Sequence, residues 1–353
     1  MKVVSIVSAE RSGSTLLDML LGSIDGFFSA GEMRYLWERG LIQHRRCGCL
    51  LEVADCPVWS KVLAASGLSH LDPNDVVRWQ NNVARNRHTH RLLNASGACE
   101  RDPQLARLIE TMGVLHEAIG CVTGARVVVD SSKRPADAAL ARLLPGVQTY
   151  VVHVVRDPRG VAYSRARKKA EFDHSRDEMV RRSFASSGAN WLWINTVASL
   201  LSRDETPVLR VRYEDLVSEP EVWLSRILDF VDEPRAALPL QGRTAMLEPN
   251  HTVSGNPDRF STGETKIQPD NVWQDAIRPT KWLAATGMAL PLIRRYGYTI
   301  RTGAPRRKVR PRRGRGNPGR ESIDDETSHR HLTTGGSLSA EVGVPAHAIS
   351  VVA

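Results

Sequence analysis

The chain has 353 residues and a formal net charge of +9, with 41% hydrophobic and 25% charged residues. This composition is typical of a globular protein and excludes a fibrous or wholly disordered chain. Its longest apolar runs, such as 151–155, are strand-sized, whereas a transmembrane helix needs about 20 apolar residues in succession. Glu10 and Arg11 interrupt the short apolar start of the chain, which disfavours a secretory signal. We therefore expect a cytoplasmic protein.

The excess of positive charge is divided between two parts of the chain. Residues 1–302 carry 39 basic and 34 acidic side chains, and residues 303–353 carry nine and five. Eight basic residues and no acidic ones lie in 304–320, among Pro and Gly. Such a segment cannot bury a core, so we predict one domain over 1–303 and a disordered tail over 304–353. An anionic membrane surface, nucleic acid or no specific partner all stay open for the tail.

Short β-branched runs alternate with helical patterns along the domain. Strands are predicted over 2–7, 126–129, 149–155 and 208–211, and helices from about 14, over 75–93, 103–122 and 135–144, from 158, and over 176–201 and 219–231. Strands that are apolar throughout indicate a parallel sheet with helices on both faces. We therefore predict an α/β fold in which a helical insertion, residues 60–122, follows the first strand.

The turn between the first strand and the first helix reads SAERSGST. The free backbone N–H groups and the dipole of a helix N-terminus favour a bound anion. Gly13 allows the backbone to approach a ligand closely, Arg11 adds a positive charge, and Ser12, Ser14 and Thr15 add hydroxyl groups. We predict a phosphate-binding loop here. A helix that is merely capped by Ser12 or Ser14 is the alternative.

This loop differs from the nucleotide P-loop. That motif, GxxxxGK[ST], requires Lys directly after its second Gly, and Ser14 stands at this position. A kinase without this lysine loses a contact to the transferred phosphate. A small-molecule kinase with a degenerate P-loop is therefore the weaker enzyme alternative. A nucleic-acid-binding module that uses the basic tail is the other alternative, and the small charge excess of residues 1–302 argues against it.

A second informative stretch, VVHVVRDPRGVAYS, covers residues 151–164. Arg156 ends a strand at the carboxyl edge of the predicted sheet, where open α/β folds bind ligands. Ser164 lies about two turns into the following helix. A guanidinium and a hydroxyl in these positions can hold one phosphate group. The alternative is a surface pair of Arg156 with Asp157 and a serine on a helix face.

Together, RSGST and the later RDPRGVAYS resemble the two cofactor signatures of sulfotransferases that use 3′-phosphoadenosine 5′-phosphosulfate (PAPS). The pattern is similar to that of the bacterial branch resembling tyrosylprotein and carbohydrate sulfotransferases, over about residues 1–300. The resemblance implies a P-loop-NTPase-like fold and PAPS as co-substrate. It implies that the 5′-phosphosulfate is held by Arg11, Ser12, Gly13, Ser14 and Thr15, and the 3′-phosphate by Arg156 and Ser164.

The resemblance also implies the catalytic residues. Glu32 resembles the glutamate that serves as general base in tyrosylprotein-type enzymes, with His251 as a rival and His153 as a more distant one, typical of a core histidine. Lys133 resembles the lysine that stabilises the leaving group, whereas Asp130 as a metal-holding acid would favour a kinase. A sulfuryl group carries less charge than a γ-phosphoryl group, so no metal is expected. We expect a hydroxyl acceptor on a small molecule, glycan or lipid, and a peptide tyrosine also stays open.

Three further positions carry weaker expectations. Glu10 is an acid beside an anion site, and we expect it to face solvent or pair with an arginine. The resemblance places Tyr213 near the cofactor. The Gly/Pro/Asn-rich loop 251–263 has the length of a functional lid. Arg259 within it and the nearby Lys266 either close over the nucleotide or stay at the surface.

Cys47, Cys49 and Cys56 form a C-x-C-x6-C cluster. Five cysteines without a secretion signal argue against a disulfide framework. A structural zinc site usually takes four ligands with C-x2–4-C spacing, so the fourth ligand would have to be His44 or a distant residue. We favour a reduced structural loop and predict no metal site, with zinc as the alternative.

Overall fold

A computed structural model describes residues 1–95, 102–167, 182–202 and 206–300. The predicted tail over 304–353 lies outside the described residues, as does the beginning of the helix predicted from residue 176. No helix within the described ranges is long and apolar enough to cross a membrane.

A five-stranded parallel sheet forms the centre of the fold. Its strands are β1 (Lys2–Ser8), β2 (Phe27–Gly31), β3 (Val127–Lys133), β4 (Gln148–Val155) and β5 (Val208–Arg212). They lie in the order β2-β3-β1-β4-β5, and all neighbouring strands are parallel. Burial on both faces accounts for the continuous apolar runs. The predicted α/β fold with a P-loop-like parallel sheet is confirmed.

Helices cover both faces of this sheet. They are α1 (Ser14–Gly22), α2 (Trp59–Ala65), α3 (Pro73–Val83), α4 (Thr89–Leu93), α5 (Pro103–Thr123), α6 (Pro135–Ala141), α7 (Pro158–Ala166), α8 (Phe184–Leu201), α9 (Tyr213–Ser218), α10 (Pro220–Phe230), α11 (Val272–Ala276) and α12 (Pro279–Ile293). Asp72, Asp102 and Asp157 cap α3, α5 and α7, each followed by proline in the first turn.

Two features of the chain order differ from the expectation. The sequence does not predict β2, because FFSAG is a short run that lies between glycines with positive φ, Gly26 and Gly31. The helical insertion over 60–122 therefore follows the second strand rather than the first. The helix predicted over 75–93 is two helices, because Ala84 leaves the helical conformation with φ −119° and ψ 43°.

Two apolar layers enclose the sheet. Successive side chains of a strand point to opposite faces, so Val4 and Ile6 of β1 pack with α1 and α10. Val3 and Val7 pack on the other face with α5 and α6. The removal of these apolar surfaces from water is the main driving force that holds β1 at the centre.

Residues 240–300 add elements that the sequence does not predict. An antiparallel sheet is formed by β6 (Leu240–Gln241), β7 (Thr244–Leu247) and β8 (Gly263–Lys266), and α12 packs against α8. Residues 248–262, here called the 248–262 loop, connect β7 to β8. In this loop Val253 N donates to the carbonyl of Ala30 at 3.0 Å, which places the loop at the carboxyl edge of the parallel sheet.

Candidate functional site

The carboxyl edge of the parallel sheet carries a cavity of about 600 Å³. All five strands end at this edge, which is where open α/β sheets bind ligands. Of the residues predicted for the site, Arg11, Gly13, Ser14, Thr15, Glu32 and Lys133 line the cavity. The other three, Ser12, Arg156 and Ser164, are buried.

The loop after β1 turns directly into α1. Arg11 (φ 67°) and Gly13 (φ 87°) both adopt left-handed backbone conformations. A Cβ at position 13 would lie 2.5 Å from Cδ2 of Tyr213, so only glycine fits there. The backbone N–H groups of Ser14 and Thr15 begin the helix and have no intrahelical acceptor, as at every helix N-terminus. The loop can therefore bind an anion.

The Arg11 guanidinium joins this loop to two other segments. Its Nε donates to Oγ of Ser164 on α7 at 2.9 Å. Its terminal nitrogen donates to Oδ1 of Asn256 in the 248–262 loop at 2.6 Å. Arg11 and Ser164, which the two sequence motifs supply separately, are thus in direct contact.

Arg156 lies behind the loop rather than in the cavity, with 1% of the residue exposed. Its guanidinium donates to the carbonyl of Arg11 at 3.1 Å and to Oδ2 of Asp270 at 3.0 Å. It also lies over the ring of Tyr213, 4.3 Å from the centroid, and Tyr213 packs against Gly13. Arg156 therefore supports the shape of the loop. Its contact with a 3′-phosphate stays a prediction.

Glu32 and Lys133 meet on the cavity wall. Lys133 Nζ donates to Oε1 of Glu32, and a terminal nitrogen of Arg39 lies 3.9 Å from Oε2. The Glu32 backbone N–H donates to the carbonyl of Ser254 at 3.3 Å. A carboxylate is thus held between two cations, beside the anion-binding loop.

Two buried carboxyl groups lie next to this ion pair. The pKa of Asp18 and that of Asp130 are each raised to about 7, chiefly by burial. Oδ1 of Asp130 accepts the backbone N–H of Ser132 at 2.8 Å. Neither carboxyl group lines the cavity. The alternative in which Asp130 holds a metal beside the ligand is therefore not supported.

Positive charge dominates the cavity wall, with seven cationic side chains and three carboxylates. The cations are Arg11, Arg39, Arg45, Lys133, Arg134, Arg165 and Arg182. Glu10 forms an ion pair with Arg165, as expected for an acid beside an anion site. This excess of cations suits an anionic ligand.

A comparison with protein families identifies the chain. The family model described as the sulfotransferase family matches residues 4–237. The chain belongs to the sulfotransferase family. This confirms the family resemblance carried by the two motifs. No curated protein matches the chain in a sequence comparison.

Two solved structures are similar to this sulfotransferase. The sulfotransferase domain from the Synechococcus PCC 7002 olefin synthase has 19% identity and a TM-score of 0.48, covering 85% of this chain and 96% of that one. The sulfotransferase domain from the curacin biosynthetic pathway has 19% identity and a TM-score of 0.43, covering 85% of this chain and 99% of that one.

Both rival histidines of the sulfotransferase lie away from the cavity. His153 contacts Oδ1 of Asn195 at 2.8 Å, and burial lowers its pKa to about 4. It is the neutral core histidine that its apolar strand predicts. His251 lies with Nδ1 3.2 Å from Sγ of Cys56. Of the three candidates for the general base, only Glu32 lines the cavity.

Neither Arg259 nor Lys266 lines the cavity, and Lys266 takes the surface position that was the alternative to closure over the nucleotide. Arg259 is buried, and its guanidinium donates to the carbonyls of Thr252 and Arg46, each at 2.6 Å. It therefore holds the 248–262 loop against the segment that follows β2. Lys266 is exposed on β8.

Sequence reasoning missed three residues of the site: Arg39, Asn256 and Asp270. Arg39 belongs to the π-helical segment Leu36–Ile42, and its guanidinium lies over the ring of Tyr35 at 3.9 Å. Asn256 and Asp270 lie in loops between elements of the C-terminal part. Asn256 lies in the 251–263 loop that the sequence analysis singled out as a candidate lid, whereas no motif marked Arg39 or Asp270, which reach the site through tertiary contacts.

Proposed function

We propose that this sulfotransferase transfers the sulfuryl group of PAPS to a hydroxyl acceptor. The observation that carries this proposal is the shared cavity. The anion-binding loop, the Glu32 carboxylate and the Lys133 ammonium all line it. An acyl or phosphoryl donor is less favoured, since the family is that of sulfotransferases and Ser14 replaces the P-loop lysine.

The anion-binding loop is the proposed site of the 5′-phosphosulfate. The N–H groups at the start of α1, the hydroxyls of Ser14 and Thr15, and the Arg11 guanidinium offer donors to the phosphate and sulfate oxygens. The cavity volume of about 600 Å³ lies within the usual range for small-molecule sites, roughly 300–1,000 Å³. The cationic wall supports a donor that carries several negative charges.

Ser164 and Arg156 are the proposed partners of the 3′-phosphate. Oγ of Ser164 contacts Nε of Arg11, so the proposed 3′-phosphate position adjoins the loop proposed for the 5′-phosphosulfate. Arg156 is engaged with Asp270 and with the carbonyl of Arg11. For Arg156 to bind the 3′-phosphate directly, its guanidinium must therefore replace the contact with Asp270 by one with the phosphate. Either way, Arg156 is expected to control donor affinity through the shape of the loop.

Glu32 is the proposed general base. It takes the proton of the acceptor hydroxyl while the new oxygen–sulfur bond forms and the bond from sulfur to the phosphate oxygen breaks. Lys133 and the loop stabilise the charge that develops on the departing phosphate. No metal is needed at the reacting centre, because the sulfuryl group carries little charge.

The acceptor is proposed to enter beside Glu32. The cavity wall there includes Tyr35, Arg39 and Asn86, which offer an aromatic ring and hydrogen-bond donors. These groups suit a hydroxyl on a small molecule, glycan or lipid.

The direct test incubates the purified full-length chain with PAPS labelled in its sulfate and with fractions of a host extract. The proposal predicts that label enters a fraction and that an equal amount of 3′-phosphoadenosine 5′-phosphate (PAP) appears, with magnesium chelated. The control reaction contains ATP labelled in its γ-phosphate with magnesium. Transfer of phosphate in the control, with no transfer of sulfate, would contradict the proposal.

A further inference from the structure

Three cysteines and one histidine lie together outside the cavity. Sγ of Cys47 lies 3.5 Å from Sγ of Cys56 and 4.0 Å from Nδ1 of His251, and Sγ of Cys56 lies 3.2 Å from the same nitrogen. With Sγ of Cys49, all four atoms lie within 4.8 Å of one another. The proposed reaction uses none of these groups.

We propose that Cys47, Cys49, Cys56 and His251 form a structural Zn²⁺ site. Three sulfurs and one imidazole nitrogen are a complete set of soft donors of the kind that tetrahedral zinc prefers. Zn–S bonds of about 2.3 Å and Zn–N bonds of about 2.0–2.1 Å place tetrahedral ligand atoms about 3.6–3.8 Å apart. The three observed distances bracket these values. This proposal departs from the prediction of no metal site and takes up the zinc alternative.

The fourth ligand of the proposed site is His251, which is distant from the cysteines in the sequence, and not His44. Nδ1 of His44 lies 3.3 Å from a carboxylate oxygen of Glu52, and its side chain is 64% exposed. His251 is 195 residues from Cys56 along the chain, so no spacing rule connects the two. Its backbone carbonyl accepts a hydrogen bond from Nε1 of Trp59 at 2.6 Å, which fixes its position beside the cysteines.

The backbone around the cysteines is already folded into a tight loop. Cys47 N donates to the carbonyl of Leu51 at 2.7 Å, and Gly48 N donates to the carbonyl of Thr252 at 2.9 Å. A Cβ at position 48 would lie 2.0 Å from Oδ1 of Asn250. Leu50 adopts a left-handed conformation with φ 72°. Because the segment around Cys47 folds tightly against the 248–262 loop, the sulfurs of Cys47 and Cys49 lie close together despite their short C-x-C spacing.

A metal ion here would tie the 248–262 loop to the segment after β2. The same loop supplies Asn256, which accepts from Arg11, and the Ser254 carbonyl, which accepts from the Glu32 N–H. The zinc site is therefore a support for the cavity rather than a part of it. We expect metal loss to lower thermal stability and to weaken donor binding together.

The metal content of the full-length chain tests this inference without reference to the proposed reaction. Protein purified under reducing conditions and supplied with Zn²⁺ is expected to hold one zinc ion per chain after removal of free metal. Cys47→Ser, Cys56→Ser and His251→Gln are each expected to lose it. Cys121→Ser, an exposed cysteine outside the cluster, and His44→Gln are the matched controls and are expected to keep it.

Cobalt substitution keeps the test decisive if the cysteine variants fail to fold. Wild-type protein loaded with Co²⁺ is expected to show the intense visible absorption of tetrahedral cobalt with thiolate ligands. Absence of bound zinc and of this spectrum in the wild type would overturn the inference. A Cys47–Cys56 disulfide that persists in the presence of a reducing agent would also overturn it. Equal metal loss in His44→Gln and His251→Gln would do the same.

Discussion

The carboxylate of Glu32 lies between two cationic side chains and also lines the cavity. Lys133 and Arg39 face its two carboxylate oxygens, and the Ser254 carbonyl holds its backbone. An ion pair contains the ionised carboxylate, which is the form that accepts a proton. Lys133 lines the same cavity as the loop proposed for the donor, so the proposed base and the proposed leaving-group stabiliser lie side by side.

Glu32→Gln separates the proposed chemistry from donor binding. Loss of a general base is expected to lower turnover by about 100- to 10,000-fold, whereas PAP affinity measured by calorimetry stays within about twofold of wild type or rises, since one negative charge leaves the cavity. Glu264→Gln, an exposed glutamate on β8, is the matched control. Unchanged turnover in Glu32→Gln would remove the base assignment.

Gly13→Ala tests the close packing of the anion-binding loop on Tyr213. A positive φ costs a non-glycine residue about 1–2 kcal/mol, and the contact 2.5 Å from the Tyr213 ring adds about 1–3 kcal/mol of overpacking. The free energy of unfolding measured with urea is expected to fall by the sum of these two costs, and PAP binding is expected to be lost. Gly67→Ala, at φ 64° with nothing within 4 Å, should show only the smaller cost. Equal shifts in the two variants would argue against this packing.

Helix α1 carries two different electrostatic features, one at its N-terminus and one in its second turn. Its N-terminus faces the cavity and favours anions, while its second turn carries the buried Asp18 toward the core. Burial raises the pKa of that carboxyl group to about 7, from an ordinary value of 3.8. The folded protein therefore keeps this carboxyl group protonated at pH values where the unfolded chain has already released the proton.

The contribution of Asp18 to protein stability is expected to fall with rising pH in this window. Between about pH 4 and pH 7 the unfolded chain binds fewer protons at Asp18 than the folded chain, so the free energy of unfolding decreases as pH rises. Asp18→Asn removes this pH-dependent decrease in the free energy of unfolding. The difference in the free energy of unfolding between the variant and the wild type should therefore grow by up to about 1.4 kcal/mol per pH unit. Urea unfolding at pH 5 and pH 7 measures it, with the exposed Asp275→Asn as control. An advantage independent of pH would contradict this explanation.

Elements with local signals are predictable from the sequence, and elements fixed by distant contacts are not. Asp102 with Pro103 locates the start of α5 within the chain, because a cap and a proline act on their own helix. The short strand β2 carries no such signal and becomes a strand only by pairing with β3. The 248–262 loop is held by Arg259 and Val253 across more than 200 residues of chain, which no local pattern encodes.

In the whole molecule, the parallel topology explains why residues from separate sequence motifs line one cavity. The ends of β1, β2 and β3 carry Arg11, Glu32 and Lys133, and a parallel sheet places such ends at one edge. The sequence could not show that Arg156 turns behind the loop to Asp270, because that contact depends on a partner from the C-terminal part. Nor could it show that the residue beside the cysteines is His251 and not His44.

We propose that the protein binds its nucleotide through both the 5′-phosphate and the 3′-phosphate of the ribose. Titration calorimetry of the full-length chain with PAP and with AMP, at one ionic strength, tests it most directly. PAP is expected to bind about 10- to 100-fold more tightly than AMP, the effect of one set of charge-assisted hydrogen bonds, and Ser164→Ala is expected to reduce this preference. Equal affinity for PAP and AMP would contradict it.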